Sequence, residues 1–79
     1  MRIKVARSAR KHRIGKAHLV AALSGELELV EDRGNGNGLW IGTDDRGVEL
    51  EIAMRPATED ADLMIVYHCM PIYDTKEGE

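Results

Sequence analysis

Val48-Glu49-Leu50-Glu51-Ile52-Ala53-Met54-Arg55 alternates without a break. Val48, Leu50, Ile52 and Met54 point one way; Glu49, Glu51 and Arg55 point the other. A period of two is a strand with one face in a core and the other toward solvent. Pro56 cannot donate to a ladder and ends it. Further strands are read on both sides. Leu27-Glu28-Leu29-Val30-Glu31 mostly alternates, and Leu39-Trp40-Ile41-Gly42-Thr43 forms the next run. Between them, Arg33-Gly34-Asn35-Gly36-Asn37-Gly38 contains Asn-Gly twice, the commonest hairpin chemistry. Asp44-Asp45-Arg46-Gly47 reads as a tight turn. After a polar connection over residues 57–62, Leu63-Met64-Ile65-Val66-Tyr67-His68-Cys69-Met70 is apolar on both faces and reads as the central strand, stopped by Pro71.

The first 25 residues read differently. Arg2-Ile3-Lys4-Val5-Ala6 is a short strand or an extended lead-in. Ser8 offers an N-cap for a short basic helix over residues 9–13, closed by Ile14-Gly15. Residues 16–23 read as a second helix with Leu19, Val20 and Leu23 on one face. The expected fold is therefore α+β: two short N-terminal helices packed on one face of a small antiparallel β-meander. Its expected core is Leu19, Val20, Leu23, Leu50, Ile52, Ile65 and Val66. The 79 residues accommodate one domain, 1–79, with 74–79 a frayed charged tail.

Composition excludes several classes. No apolar run approaches the length of about 18 residues that spans a bilayer. The basic N-terminus lacks an apolar h-region, so no signal peptide is expected. The single cysteine, Cys69, excludes an intramolecular disulfide and a cysteine-based zinc cluster. A cytoplasmic protein is expected.

The net charge of −3 hides a division. Residues 1–25 hold Arg2, Lys4, Arg7, Arg10, Lys11, Arg13 and Lys16 and no acidic residue. Residues 26–79 hold the other four basic residues and all fourteen acidic ones, so the two parts carry +7 and −10. Either the basic segment presents a face to an anionic partner, or it folds onto the acidic remainder. Arg10-Lys11-His12-Arg13 can hold phosphates by Coulomb attraction and bidentate hydrogen bonds. Lys16 falls in the first turn of its helix, where the macrodipole favours acids.

Gly34-Asn35-Gly36-Asn37-Gly38 lacks the spacing and the following helix of a dinucleotide loop. Asp44-Asp45 with Glu49 and Glu51 matches no calcium loop. His12, His18 and His68 have no metal-ligand spacing, and neither a metal nor a cofactor is expected. His68, beside Tyr67 on the most buried-looking strand, is either a core imidazole bonded to backbone or a general acid/base.

Ala9-Arg10-Lys11-His12-Arg13-Ile14, followed by Leu19-Val20-Ala21-Ala22-Leu23, resembles the opening of small bacterial proteins related to BrnT-type toxins of the RelE superfamily. Ile41-Gly42-Thr43-Asp44-Asp45-Arg46-Gly47-Val48-Glu49-Leu50-Glu51 and Met64-Ile65-Val66-Tyr67-His68-Cys69-Met70-Pro71 are similar to their later segments. The resemblance runs from about residue 6 to residue 71. It implies a compact toxin-like fold and, in studied relatives, a metal-free RNA-cleaving toxin neutralised by an antitoxin. By position it makes Lys11, His12, Arg55 and His68 the candidates. Two features depart from the group: Gly15 stands where Ser or Thr usually caps the second helix, and the C-terminus is acidic where many relatives are basic.

The functional expectation is a type II toxin, a metal-independent endoribonuclease acting on RNA, on or off the ribosome. His68, His12 and Lys11 are its catalytic residues, and Arg10, Arg13 and Lys16 hold RNA. Mirror-image pairing about the 57–62 connection sets Arg55 about four residues from His68, which argues against that pair. Expected partners are RNA and a cognate antitoxin, with no membrane; homo-oligomerisation is left open. The alternative is a non-catalytic protein-interaction module on the same fold.

Overall fold

The computed structural model describes residues 2–72. The expected frayed tail, residues 74–79, lies outside the described residues. The elements in chain order are β1 (Arg2–Val5), a 3-10 helix (Arg7–Arg10), α1 (Lys16–Ser24), β2 (Leu27–Gly34), β3 (Asn37–Thr43), β4 (Glu49–Pro56) and β5 (Leu63–Pro71). The five strands form one sheet in the order β1-β5-β4-β3-β2. β1 runs parallel to β5, with Ile3 opposite Met64 and Val5 opposite Val66; every other pair is antiparallel.

The expected pair of helices on a purely antiparallel meander is corrected on both counts. There is one α-helix. The basic segment makes only a single 3-10 turn, because Ser8 does not cap it: its Oγ donates to the Tyr67 carbonyl, 2.7 Å away. Side-chain bonds of this kind compete with helix formation. The N-terminal extended segment joins the sheet instead. A parallel partner needs a long connection, and here most of the chain separates β1 from β5. The central strand is β4, not β5.

The alternation of β4 is realised in three dimensions. Leu50, Ile52 and Met54 are buried with Val66, Cys69, Leu19, Ala22, Leu23 and Ala9 in one cluster. The expected core differs at two positions. Val20 is 40% exposed, because Ala22, on the other side of the helix, takes the place against the sheet. Ile65 alternates with Val66 and lies on the opposite face. A nine-residue helix is unstable alone, so α1 depends on this burial. It seats closely at Gly42: a Cβ there would lie 2.8 Å from Leu27 Cδ2 and 3.0 Å from the Ala22 carbonyl oxygen. Any larger residue would lift the helix.

The β2–β3 hairpin turns at Asn35-Gly36, with φ of 57° and 80°. Two positive values match the right-handed twist of the flanking strands, which is why Asn-Gly is favoured there. No described helix is long and apolar enough to cross a membrane.

Candidate functional site

α1 and the 3-10 helix leave the other face of the sheet open. β5 carries a bulge there. His68 stands opposite Ala53 and Val66 opposite Met54, so Tyr67 is an extra residue in the ladder. A bulge re-aims side chains. It returns Cys69 to the core while His68 takes the open face, and the Tyr67 hydroxyl reaches the neighbouring strands.

Two networks meet on this face. His68 Nε2 and Glu51 Oε1 lie 3.0 Å apart, with the imidazole N–H donating to the carboxylate. Both side chains are 31% exposed. Beside them, Tyr67 donates its hydroxyl proton to Asn37 Oδ1 at 2.5 Å and accepts from Arg33 Nη1 at 3.0 Å. Arg33 also bonds Glu31 at 3.1 Å. The hydrogen bonds from Arg33 to Glu31 and Tyr67 raise its guanidinium above its usual range. A surface depression of about 310 Å³ is bounded by Arg33, Glu51, Tyr67 and His68, with Leu39 and Ala53 also lining it.

The turn after the 3-10 helix brings His12 to the same place. Its ring centroid is 6.2 Å from that of His68, and the planes are 85° apart. Two of the three expected catalytic residues thus meet. The third, Lys11, is exposed on the adjoining turn. Arg55 is exposed and stands opposite Ile65. The register, with Arg55 opposite Ile65, and the bulge each remove one step, so Arg55 and His68 stand two ladder steps apart, about 7 Å along the strand, closer than mirror-image pairing predicts. Arg10, Arg13 and Lys16 meet elsewhere, around a cavity between the 3-10 helix and the start of α1.

Glu51, Tyr67 and Arg33 are absent from the sequence-based list. Glu51 reads as one of several carboxylates on a solvated strand face, and only the pairing of β4 with β5 sets it beside His68. Tyr67 needs the bulge. Arg33 sits at the far end of a hairpin read as turn.

Of the seven basic residues in 1–25, Arg2 alone makes an ion pair among the described residues, with Asp60 and Asp62. The other six are not neutralised by the acidic strands.

One further cluster is structural. A nitrogen of His18 and carboxylate oxygens of Asp44 and Asp45 lie within 4.8 Å of one another. Asp44 is already committed. Its Oδ1 accepts from the backbone N–H groups of Arg46 and Val48, at 2.8 and 3.1 Å. Its Oδ2 accepts from Arg46 Nε and Nη2 at 3.0 and 2.6 Å. His18 donates from Nδ1 to Asp45 at 2.7 Å and ties α1 to this turn.

Burial pushes the Asp44 carboxyl up, but the bonds from Arg46 and the two backbone groups outweigh it and hold the group at about 2. Its folded value is below its unfolded one. The stability it contributes is therefore complete above about pH 4 and is lost as pH falls toward about 2. Asp44→Asn is expected to flatten the acid limb of stability across that window, read as denaturant midpoint against pH. An unchanged slope would remove Asp44 as its source.

Compared with known proteins, the chain matches no family model, no curated protein and no solved structure.

Proposed function

We propose that the chain is a toxin-type endoribonuclease that cleaves RNA without a metal, using the open sheet face. The observation that carries this reading is the meeting of His68, Glu51 and His12 at one accessible spot. Cleavage by internal attack needs a base for the ribose 2′-hydroxyl, an acid for the departing 5′-oxygen and a cation for the charge on phosphorus.

Glu51 accepts a hydrogen bond from His68 Nε2–H, which leaves Nδ1 as the basic nitrogen. The carboxylate then stabilises the imidazolium that forms when Nδ1 takes the 2′-hydroxyl proton, by the logic of an oriented histidine. His12, on the neighbouring turn, donates to the leaving oxygen. Arg33 keeps donors beyond those used by Glu31 and Tyr67, and with Lys11 supplies positive charge at the phosphate. Arg10, Arg13 and Lys16 lie behind β5 and are not part of this face. The products are a 2′,3′-cyclic phosphate and a 5′-hydroxyl, and no water is consumed.

The test is incubation of the purified protein with a mixed-sequence RNA in excess EDTA. Fragments ending in cyclic phosphate are the expected result. Intact RNA, or cleavage abolished by EDTA, contradicts the reading.

The outer strand β2 favours a second reading, a protein-interaction module. Leu29 and Val30 are 50% and 51% exposed there, and among the described residues no strand pairs with one side of β2. An added partner strand would pair with that side. The same edge would serve an antitoxin if the protein is a nuclease. Growth arrest on expression, relieved by His68→Ala, favours catalysis; binding of a partner protein with no RNA cleavage favours the module.

A further inference from the structure

Behind β5, on the opposite face from His68, a cavity of about 260 Å³ opens between the 3-10 helix and the start of α1. Its floor is apolar: Ala9, Leu19 and Cys69 are at most 3% exposed, with Ile14 alongside. Its rim is cationic: Arg10, Arg13 and Lys16. Among the described residues no acidic residue lines it, and none of the three cations makes an ion pair with a described residue.

We propose that this cavity is a binding site for a compact amphipathic anion, with its phosphate, sulfonate or carboxylate on the cationic rim and its apolar body on the floor. An apolar hollow with a few convergent polar groups is the ordinary form of a small-ligand site. The two halves select together. Water satisfies a bare phosphate better than a rim over an apolar floor does, whereas a neutral apolar molecule makes no use of the charges. Burial pushes the Cys69 thiol up to about 11, so the floor carries no negative charge to oppose the ligand.

The backbone adds a second mark. Arg13 has a φ of 59°, in the left-handed region that glycine occupies more cheaply. Strain of this kind at a rim residue is where function and stability oppose each other. Lys16 likewise sits at the positive end of α1, where a cation is disfavoured. A bound anion would compensate the Lys16 charge, whereas the Arg13 backbone keeps its conformation.

The assignment stands apart from RNA cleavage. The ligand's chemistry is shared by a nucleotide of a bound RNA and by a free aromatic phosphate, and competition separates them. The probe is anilinonaphthalene sulfonate, titrated into the full chain at low salt by fluorescence, with amide chemical shifts recorded in parallel. Single-site binding is expected, with shifts centred on residues 9–19. Arg10→Gln/Arg13→Gln should weaken it about tenfold or more while the protein stays folded.

Arg13→Gly should raise the melting temperature and still weaken the dye, a combination that a merely structural arginine would not give. Phenyl phosphate should displace the dye and inorganic phosphate should not. Displacement by adenosine monophosphate as well assigns the site to nucleotides, and its failure assigns it to smaller aromatic anions. Dye binding unchanged in the double variant, shifts centred elsewhere, or displacement by inorganic phosphate alone overturns the proposal. Dye binding in a protein that leaves RNA intact would remove the nuclease reading and keep this one.

Discussion

His68→Ala is expected to lower RNA cleavage about a hundred- to ten-thousand-fold, the usual contribution of a positioned acid or base. That corresponds to about 3–5.5 kcal/mol of barrier. The fold should survive, because the side chain is 31% exposed and its hydrogen bond is to Glu51 on the solvent face. His12→Ala should cause a loss of the same order. If the two act in one step, His12→Ala/His68→Ala should fall little below either single change, since residues acting as a unit are not additive. Glu51→Gln should lose less, because it removes the charge that steadies the imidazolium and keeps the nitrogen that takes the proton. The measurement is a single-turnover cleavage rate with a melting curve for each variant. Full activity in a folded His68→Ala variant would remove the residue from the chemistry.

The second large effect is on stability. Leu50 is fully buried on β4, opposite Gly42 on one side and Pro71 on the other. Leu50→Ala removes that packing and leaves a cavity under α1, at a cost of about 2–5 kcal/mol. A domain of this size has about 5–15 kcal/mol in all, so the melting temperature should drop by about 10 °C or more. A midpoint that does not move would contradict the alternation of residues 48–55.

That alternation shows what the sequence carries. A period of two fixes which side of β4 enters the core, and two adjacent positive-φ residues fix the hairpin, because both are local. The readings that failed depend on distant pairing. Nothing near Arg2-Ile3-Lys4-Val5 says that its partner is β5, sixty residues on. Ser8 looks like a helix cap until the Tyr67 carbonyl is brought beside it. Val20 and Ile65 are apolar enough for a core, but the position of α1 and the register of β5 put them outside it.

The site divides in the same way. His68 and His12 are visible from composition and motif, as the few groups able to move a proton near neutral pH. Glu51, Tyr67 and Arg33 become visible only once β4 and β5 are paired and the bulge at Tyr67 is placed. The bulge and a one-residue offset in register together explain the misjudged distance to Arg55, since each breaks the mirror symmetry about the connection. Arg10, Arg13 and Lys16 form a cluster, as their charge suggested, but around a cavity behind β5 and not on the face that bears His68.

The central claim is internal attack by the ribose hydroxyl at the His68–Glu51–His12 face, and a substrate with a single ribonucleotide in an otherwise deoxy strand tests it most directly. In excess EDTA, the protein is predicted to cut only after that ribonucleotide and to leave a 2′,3′-cyclic phosphate, with the product lost in His68→Ala. Cleavage at deoxy positions, a 5′-phosphate product, or an uncut strand that still binds the protein would contradict it.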